Sequence, residues 1–338
     1  MVREDYLAPA QSGEFIAQHA HHVKIHEDGL NKLSEEILKS CSSSKLQIPD
    51  TGANIIRPTK TDPKAVDWVF VADALNFCFW SYTGAEKWTV DGQSGYYALE
   101  AALSRAIKEG HDITTPEYYS KITEEQLRNI MRSDNDTQMP LFKERIEILH
   151  EVGRILLEKY NGTFVTCLKE ANKSAKKLLQ IVVQNFPSFR DETVYNNQKV
   201  SLYKRAQILV ADLWSFFEGS GLGEFNDIDC ITMFADYRVP QVLVYFVDEF
   251  IQSPFKGTSF LSYYLLPSGS AEEVEIRGCS IHAVELLKNK IKEKIKSSQL
   301  DIEVPNSILI DYYLWCYRRK YANDMESVPF HKTFGIYY

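Results

Sequence analysis

Long segments with apolar residues at helical spacing constrain this chain most. The segment KERIEILHEVGRILLEKY, residues 143–160, repeats apolar side chains every three or four positions, which is typical of an amphipathic helix. Similar spacing predicts helices over about 96–109, 201–219, 280–297 and 306–321, and another that ends at Phe186 because Pro187 follows it. Asp91-Gly92 lies between two short β-prone runs and predicts a hairpin. The sequence therefore predicts a mainly α fold with a small β-hairpin element.

Start signals place several helix ends. Asp62-Pro63 predicts a cap followed by the first helical residue, and the TEEQ segment that starts at Thr123 predicts a capping box. Pro240 fits the first turn of a helix that runs through Phe250.

Domain organisation follows from the absence of a clear linker. The Ser- and Pro-containing stretches at 42–61 and 252–272 are the candidate breaks, and neither has a convincing linker composition. We expect an N-terminal helical segment over 1–60 that packs on a main helical domain over 61–338, so that the chain forms one structural unit.

The charge balance restricts the classes of partner. With 38 basic and 46 acidic residues, the net charge is −8, whereas a duplex-binding surface needs a basic face that displaces counterions. A small anionic substrate needs only a local cluster of Lys and Arg. No apolar run reaches the roughly 18 residues of a membrane span, and the first residues lack the apolar core of a signal peptide. Six dispersed cysteines without a CxxC pair favour a reducing compartment, and we expect a cytoplasmic protein.

Signatures of cofactors and metals are missing from the sequence. It contains no Walker motif, GxGxxG, GxSxG or HExxH. Four histidines cluster at positions 19, 21, 22 and 26, but no Cys or carboxylate lies at ligand spacing, so a solvated helix face explains them better than a metal site. We expect neither a metal nor an organic cofactor.

Polar residues within apolar, aromatic segments are the candidate site residues, because an unpaired buried charge is costly. In YKRAQILVADLW, Arg205 and Asp212 share one face of a predicted helix, and a structural ion pair explains them equally well. In FADYRVPQ, Asp236 can stabilise positive charge or activate water, but it can also cap the following helix or pair with Arg238.

Three further segments carry weaker signals. In ALNFCFW, Asn76 matches the edge of a base, and the rings of Phe77, Phe79 and Trp80 either stack on that base or belong to the core. The loop RSDNDTQMP is explained by a local turn with Asx-type hydrogen bonds. In EVEIRGC, strand alternation would place Glu275 and Arg277 on one face as a mutual pair.

Nine segments between residue 67 and the C terminus, in matching order and spacing, resemble the queuosine salvage family, the queuosine 5′-phosphate N-glycosylase/hydrolases. The segments are DWVFVADALNFCFW, SGYYALEAALSRA, QLRNIMRSDNDTQMPL, ERIEILHEVGRILLEKY, SLYKRAQILVADLW, ITMFADYRVPQVL, EVEIRGCS, NSILIDYYLW and VPFHKTFGIYY. FADYRVPQ and RSDND are specific, and residues 1–60 match loosely. The resemblance implies an all-α fold similar to helix-hairpin-helix DNA glycosylases. It also implies release of queuine from queuosine 5′-monophosphate, for reuse in tRNA modification.

The resemblance also suggests roles for individual residues. Breaking an N-glycosidic bond makes the ribose oxocarbenium-like, and a carboxylate near C1′ opposes that charge. We expect Asp236 to act there, with Asp212 as partner, general base or ribose-hydroxyl anchor. Queuine is a 7-deazaguanine without N7, so the departing base must be stabilised at another edge. The other expected substrate-binding residues are Asn76, Tyr237 or Arg238 as donors to the base, Phe77 and Trp80 as stacking walls, and Lys204, Arg205 or His331 at the 5′-phosphate.

Two other functions fit the same sequence. A polynucleotide glycosylase would need a basic nucleic-acid-facing groove, which the net charge of −8 disfavours. A non-catalytic protein that binds modified nucleosides would keep its function after loss of Asp236. We expect a monomer that acts on a small-molecule substrate, with no stable nucleic-acid partner and no membrane association.

Overall fold

A computed structural model describes residues 5–43, 46, 57–81, 85–246, 265–328 and 330–338. Helices dominate the described residues, so the predicted mainly α fold is confirmed. The helices are α1 Pro9–His19, α2 Glu27–Ser43, α3 Ala65–Ala74, α4 Tyr96–Lys108, α5 Pro116–Tyr119, α6 Glu124–Ile130, α7 Phe142–Lys159, α8 Val165–Ala171, α9 Ala175–Asn185, α10 Lys204–Phe216, α11 Arg238–Phe246, α12 Ala271–Ser297 and α13 Ser307–Lys320. The strands are β1 Thr89–Val90, β2 Gln93–Ser94, β3 Glu192–Tyr195 and β4 Gln198–Ser201.

The strands form two antiparallel hairpins. In the predicted one, β1 pairs with β2 around Asp91-Gly92, with Val90 opposite Gln93. In the other, β3 pairs with β4 over four residues, with Tyr195 opposite Gln198. Asn196 and Asn197 between these strands both have positive φ angles, 46° and 62°, which is the conformation of a type I′ turn. This second hairpin was not predicted from the sequence.

Several predicted helix ends are confirmed. The Thr123 hydroxyl accepts a hydrogen bond from the Gln126 backbone, and the Gln126 side chain accepts one from the Thr123 backbone, so the capping box forms. Asn306 caps α13 by accepting a bond from the backbone N–H of Leu309. Pro240 lies in the first turn of α11, and the part of that predicted helix beyond Phe246 lies outside the described residues.

One helix start was wrong. Asp62-Pro63 does not begin α3, which starts at Ala65 with Lys64 as its N-cap residue. The Asp62 carboxylate instead accepts the Lys64 backbone N–H at 2.8 Å. This Asx-type bond forms a turn before the helix, and α3 therefore begins later than predicted.

Two compact units make up the described parts of the chain, and each combines separate stretches of sequence. The first unit comprises Met1–Pro49, Asp191–Lys204 and Asp229–Phe334, and the second comprises Asp50–Arg190, Arg205–Ile228 and Gly335–Tyr338. The division near residue 60 stays a prediction.

The first unit is built around the long helix α12, against which α1 and α2 pack. Two glycines allow α1 to approach closely. A Cβ on Gly278 would lie 2.5 Å from Cδ1 of Ile16, and one on Gly13 would lie 2.9 Å from the Gly278 carbonyl oxygen. Side chains larger than hydrogen would therefore separate α1 from α12.

Buried arginines and aromatic rings organise the second unit. All ten residues of α3 are buried, and Phe70 packs against Phe164 with ring centroids 4.3 Å apart. The buried Arg145 guanidinium donates to the carbonyl oxygens of Leu75, Phe77 and Cys78, which fixes the chain just after α3. None of the helices described here is both long enough and apolar enough to cross a membrane.

Candidate active site

Asp236 lies just before α11 in the first unit and caps this helix. Its Oδ1 accepts the backbone N–H groups of Arg238 and Val239, both at 2.9 Å. The predicted capping role is therefore confirmed. Within the described residues Oδ2 accepts no hydrogen bond, so one carboxylate oxygen is fixed by the helix and the other can meet a ligand.

The surroundings of Asp236 act on its charge in opposite directions. Burial raises the pKa of this carboxyl above its usual value, while the Lys204 cation and the two backbone N–H groups at the helix start lower it in part. Burial has the largest effect, because removing the carboxylate from water destabilises its ionised form. The ionised carboxylate is thus poorly solvated, and a cation beside it would be strongly attracted.

Buried charged side chains hold the backbone that leads to Asp236. The Arg277 Nε donates to the Ala235 carbonyl oxygen at 2.9 Å, and the same guanidinium forms a fork with both carboxylate oxygens of Asp191, at 2.9 and 2.5 Å. On the other side, the Asp311 carboxylate accepts the backbone N–H of Phe234 at 2.9 Å. Bonds to charged groups on both sides therefore fix the position of Asp236.

The strand interpretation of EVEIRGC was wrong. This segment lies in α12, where residues two apart point to different faces. Arg277 pairs with Asp191 and Glu273. The Glu275 carboxylate instead accepts the Tyr195 hydroxyl and three successive backbone N–H groups, those of residues 21, 22 and 23. Glu275 and Arg277 thus bind separate parts of the first unit.

The other predicted site residues of the first unit lie near the same segment. The Tyr237 ring packs against Phe330 with centroids 5.4 Å apart, and the Arg238 guanidinium lies over both rings. Lys204 is buried, and its backbone N–H donates to Asp191 at 3.1 Å. Burial, with the positive charge of Arg277, lowers the pKa of His331 to about 3, so this imidazole is neutral near pH 7.

In the second unit, the predicted binding residues occupy buried positions. Arg205 donates to the carbonyl oxygens of Ala74 and Ser188, and its guanidinium lies 5.0 Å from the ring centroid of Phe77. Phe77 is completely buried and Trp80 nearly so. The Asn76 amide donates to the Asp73 carboxylate at 3.4 Å. These contacts stabilise the unit, and the roles of these residues in binding stay predictions.

Asp212 belongs to a cluster of ionisable groups in the second unit. Its negative charge raises the pKa of Glu100 and of Tyr96, after the larger effect of burial on each. Glu100 is fully buried, its pKa is raised to about 7, and it pairs with Arg57 at 2.6 Å. Glu100 and Tyr96 were not predicted as site residues, although an acid in the apolar run YYALEAAL carries the same signal that identified Asp212.

The RSDND loop accepts hydrogen bonds from the turn of the first hairpin. The two carboxylate oxygens of Asp134 accept the backbone N–H groups of Asp91 and Gly92, at 3.0 and 2.9 Å. A local Asx-type bond is also present, from the backbone of Thr137 to the Asn135 side chain at 3.4 Å. The acidic loop therefore stabilises the β1–β2 turn.

The predicted site residues divide between the two units. The first unit holds Lys204, Asp236, Tyr237, Arg238 and His331, and the second holds Asn76, Phe77, Trp80, Arg205 and Asp212. The pairing of Asp212 with Asp236 stays a prediction. Among the described residues, no three His, Cys, Asp or Glu side chains are placed to hold a metal ion.

Comparisons with known proteins identify similar chains over almost the full length. A family model described as queuosine salvage protein matches residues 56–338. The chain is 46% identical to a Bos taurus protein named queuosine 5′-phosphate N-glycosylase/hydrolase, over 98% of this chain and 99% of the relative. Proteins of the same name from Nematostella vectensis and Sphaerobacter thermophilus are 43% and 33% identical, over 98% and 99% of this chain and 99% and 98% of the relatives.

Proposed function

The chain belongs to the queuosine salvage protein family, and on that basis we propose that it hydrolyses the N-glycosidic bond of queuosine 5′-monophosphate. The reaction releases queuine for salvage into tRNA modification. The single observation that carries this function is the similarity to the named N-glycosylase/hydrolases over at least 98% of the chain. The substrate is a small molecule.

Asp236 is the residue we assign to the reacting ribose. As the bond between C1′ and the base nitrogen breaks, positive charge develops on the ribose ring, and the ionised carboxylate opposes it. Oδ1 stays bound to the start of α11, while Oδ2 faces the ribose or takes a proton from the attacking water. Water oxygen bonds to C1′, the base leaves with the bonding electron pair and takes up a proton, and the products are queuine and ribose 5-phosphate.

The remaining site residues are proposed as substrate contacts. Asp212 acts as general base or ribose anchor, at least one of Phe77 and Trp80 stacks on the base, and Asn76, Tyr237 or Arg238 stabilise its developing negative charge. For the 5′-phosphate, Lys204, Arg205 and His331 are the residues proposed from the sequence. The fold is proposed to resemble helix-hairpin-helix DNA glycosylases, and the protein to be a cytoplasmic monomer without a nucleic-acid partner.

Incubation with queuosine 5′-monophosphate and chromatographic detection of queuine tests this function. Parallel incubations with queuosine-containing tRNA and with DNA test the polynucleotide alternative. We expect queuine from the mononucleotide alone. Release from the polynucleotide alone would contradict the proposed substrate, and binding of the mononucleotide without release would indicate a nucleoside-binding protein.

A further inference from the structure

Three cationic side chains of the first unit lie close together, and one of them, Arg238, also lies beside Asp236. Arg238 at the start of α11 and Arg318 near the end of α13 both donate to the same acceptor, Oε1 of Gln241, at 3.1 and 2.9 Å. After burial, the charge of Arg238 is the next cause that lowers the pKa of Arg318, to about 10, and it also lowers the pKa of Lys332. Like charges at this separation are unfavourable unless an anion compensates them.

The shared acceptor is held in one orientation. The Gln241 side chain is buried, and its Nε2 donates to the carbonyl oxygens of Met325 and Val328 at 3.2 and 2.7 Å. Because the amide nitrogen is engaged by two carbonyls, the amide oxygen must face the two guanidinium groups. The buried Gln241 amide thus holds Arg238 and Arg318 side by side.

Aromatic rings form the other boundary of this cluster. The Arg238 guanidinium lies 4.5 Å from the ring centroid of Phe330 and 4.9 Å from that of Tyr237. The Lys332 ammonium lies 5.4 Å from the Phe330 centroid. Stacking on a ring restrains a guanidinium while leaving the N–H groups at its edge able to donate.

The two arginines lack direct carboxylate partners. Within the described residues, neither Arg238 nor Arg318 forms an ion pair with Asp or Glu, although the whole chain has 46 acidic and 38 basic residues. A guanidinium carries five N–H donors, and one bond to Gln241 leaves most of the donors of each arginine for a ligand.

We propose that Arg238, Arg318 and Lys332 bind the 5′-phosphate of the nucleotide substrate. This inference rests on the proposed function and deepens it. A phosphate monoester carries three terminal oxygens and about two negative charges, which match two guanidinium forks and an ammonium. The backbone N–H of Arg238 also donates to Asp236, so the phosphate would be bound next to the carboxylate that acts on the same ribose.

The cations of this cluster differ from Lys204, Arg205 and His331, which the sequence suggested for the 5′-phosphate. Both terminal nitrogens of Arg205 already donate to backbone carbonyls. The burial that lowers the pKa of His331 to about 3 keeps that ring neutral. Lys204 acts on the charge of Asp236.

Substrate preference tests the phosphate site. We would measure kcat/KM for queuosine 5′-monophosphate and for queuosine, in wild type and in the Arg318→Ala and Lys332→Met variants. Each variant should reduce the preference for the monophosphate roughly 10- to 100-fold, mainly through KM, because it removes a charge-assisted contact. The matched control is Arg319→Ala, which removes the next cation of α13, an exposed side chain that lies over Trp315; it should keep the wild-type preference.

Inorganic phosphate gives an independent readout. It should inhibit the wild-type enzyme competitively and bind at least tenfold more weakly to the two cluster variants than to Arg319→Ala. Unchanged preference and unchanged phosphate binding in folded cluster variants would overturn the proposal. If wild type cleaves neither substrate, the proposed function fails, and calorimetric binding of inorganic phosphate to the same variants still decides the anion site. If Arg318→Ala does not fold, the Lys332→Met variant tests the phosphate site.

Discussion

Asp236 in the first unit is partly buried, and Glu100 in the second is fully buried. Burial raises the pKa of both carboxyls, but their neighbours differ. Asp236 lies beside the Lys204 and Arg238 cations and accepts two backbone N–H groups. Glu100 pairs with Arg57, accepts a hydrogen bond from the Tyr96 side chain and lies near the negative charge of Asp212. Burial is the largest effect at both positions.

The comparison shows that a raised pKa does not by itself identify a catalytic carboxylate. Positive groups around Asp236 support its ionised form, which is the form that can oppose charge on a ribose. The pKa of Glu100, at about 7, leaves this side chain about half protonated near neutral pH. We therefore infer that Asp236 serves chemistry and that Glu100 serves the stability of the second unit.

The largest expected effect follows from Asp236→Asn. Asparagine is nearly isosteric and can still cap α11, so the melting temperature should change little. The loss of charge should reduce kcat by about two to four orders of magnitude. The control is Asp229→Asn, an exposed acid of the same unit, which should keep wild-type turnover. A folded Asp236→Asn variant with more than about a tenth of wild-type kcat would exclude Asp236 from this role.

Glu100→Gln should alter stability in a pH-dependent way. Because the folded-state pKa is raised from 4.5 to about 7, the contribution of Glu100 to stability is present at pH values below about 4.5 and is lost as pH rises through 7. From the difference in pKa, wild type should lose up to about 3 kcal/mol relative to the variant across this window. Urea unfolding at several pH values measures it, and a constant difference between wild type and variant would contradict the assignment.

Phe77→Leu should mainly destabilise the fold. Phe77 is fully buried between the guanidinium groups of Arg145 and Arg205, 4.1 and 5.0 Å from its ring centroid, so reshaping the site should cost about 1–3 kcal/mol. Melting temperature and queuine affinity should be measured on Phe77→Leu and on the comparison variant Trp80→Leu. If both variants melt normally but bind queuine weakly, the rings are stacking walls and the core interpretation of Phe77 fails.

The smallest effect concerns Lys204→Met and the pH profile. The raised pKa of Asp236 means that this carboxyl becomes protonated at a higher pH than an ordinary Asp, so kcat/KM should fall earlier as pH decreases. Removing the Lys204 charge, which lowers the pKa of Asp236, should move this acid limb to higher pH. The second ionisation of the substrate phosphate, near pH 6, affects wild type and variants alike. Lys199→Met, at an exposed position of β4, is the control. Equal pH profiles for wild type, Lys204→Met and Lys199→Met would show that the Lys204 charge does not act on Asp236.

Local signals explain what the sequence could predict. The periodicity of 143–160, the capping box at Thr123 and the helix predicted over 306–321 depend on residues close in sequence, and the structure confirms each. Asp236 was found because an acid between apolar and aromatic residues is unusual. The β3–β4 hairpin was missed because its Asn196-Asn197 turn lies beside polar strand residues without a clear alternating pattern.

Contacts between distant stretches of the chain determine the features that could not be predicted from the sequence. EVEIRGC alternates like a strand, and its helical state becomes evident from the packing of α1 against Gly278 and from the separate partners of Glu275 and Arg277. Gln241, Arg318 and Lys332 come from three different parts of the chain. No spacing rule connects them, so the cation cluster could be recognised only in three dimensions.

Product analysis tests the central claim most directly. Wild-type protein incubated with queuosine 5′-monophosphate should yield queuine and ribose 5-phosphate in equal amounts, each identified by mass. This result requires hydrolysis at the bond beside which we place Asp236. Release of inorganic phosphate with intact queuosine, or recovery of unchanged nucleotide from folded protein, would contradict the account.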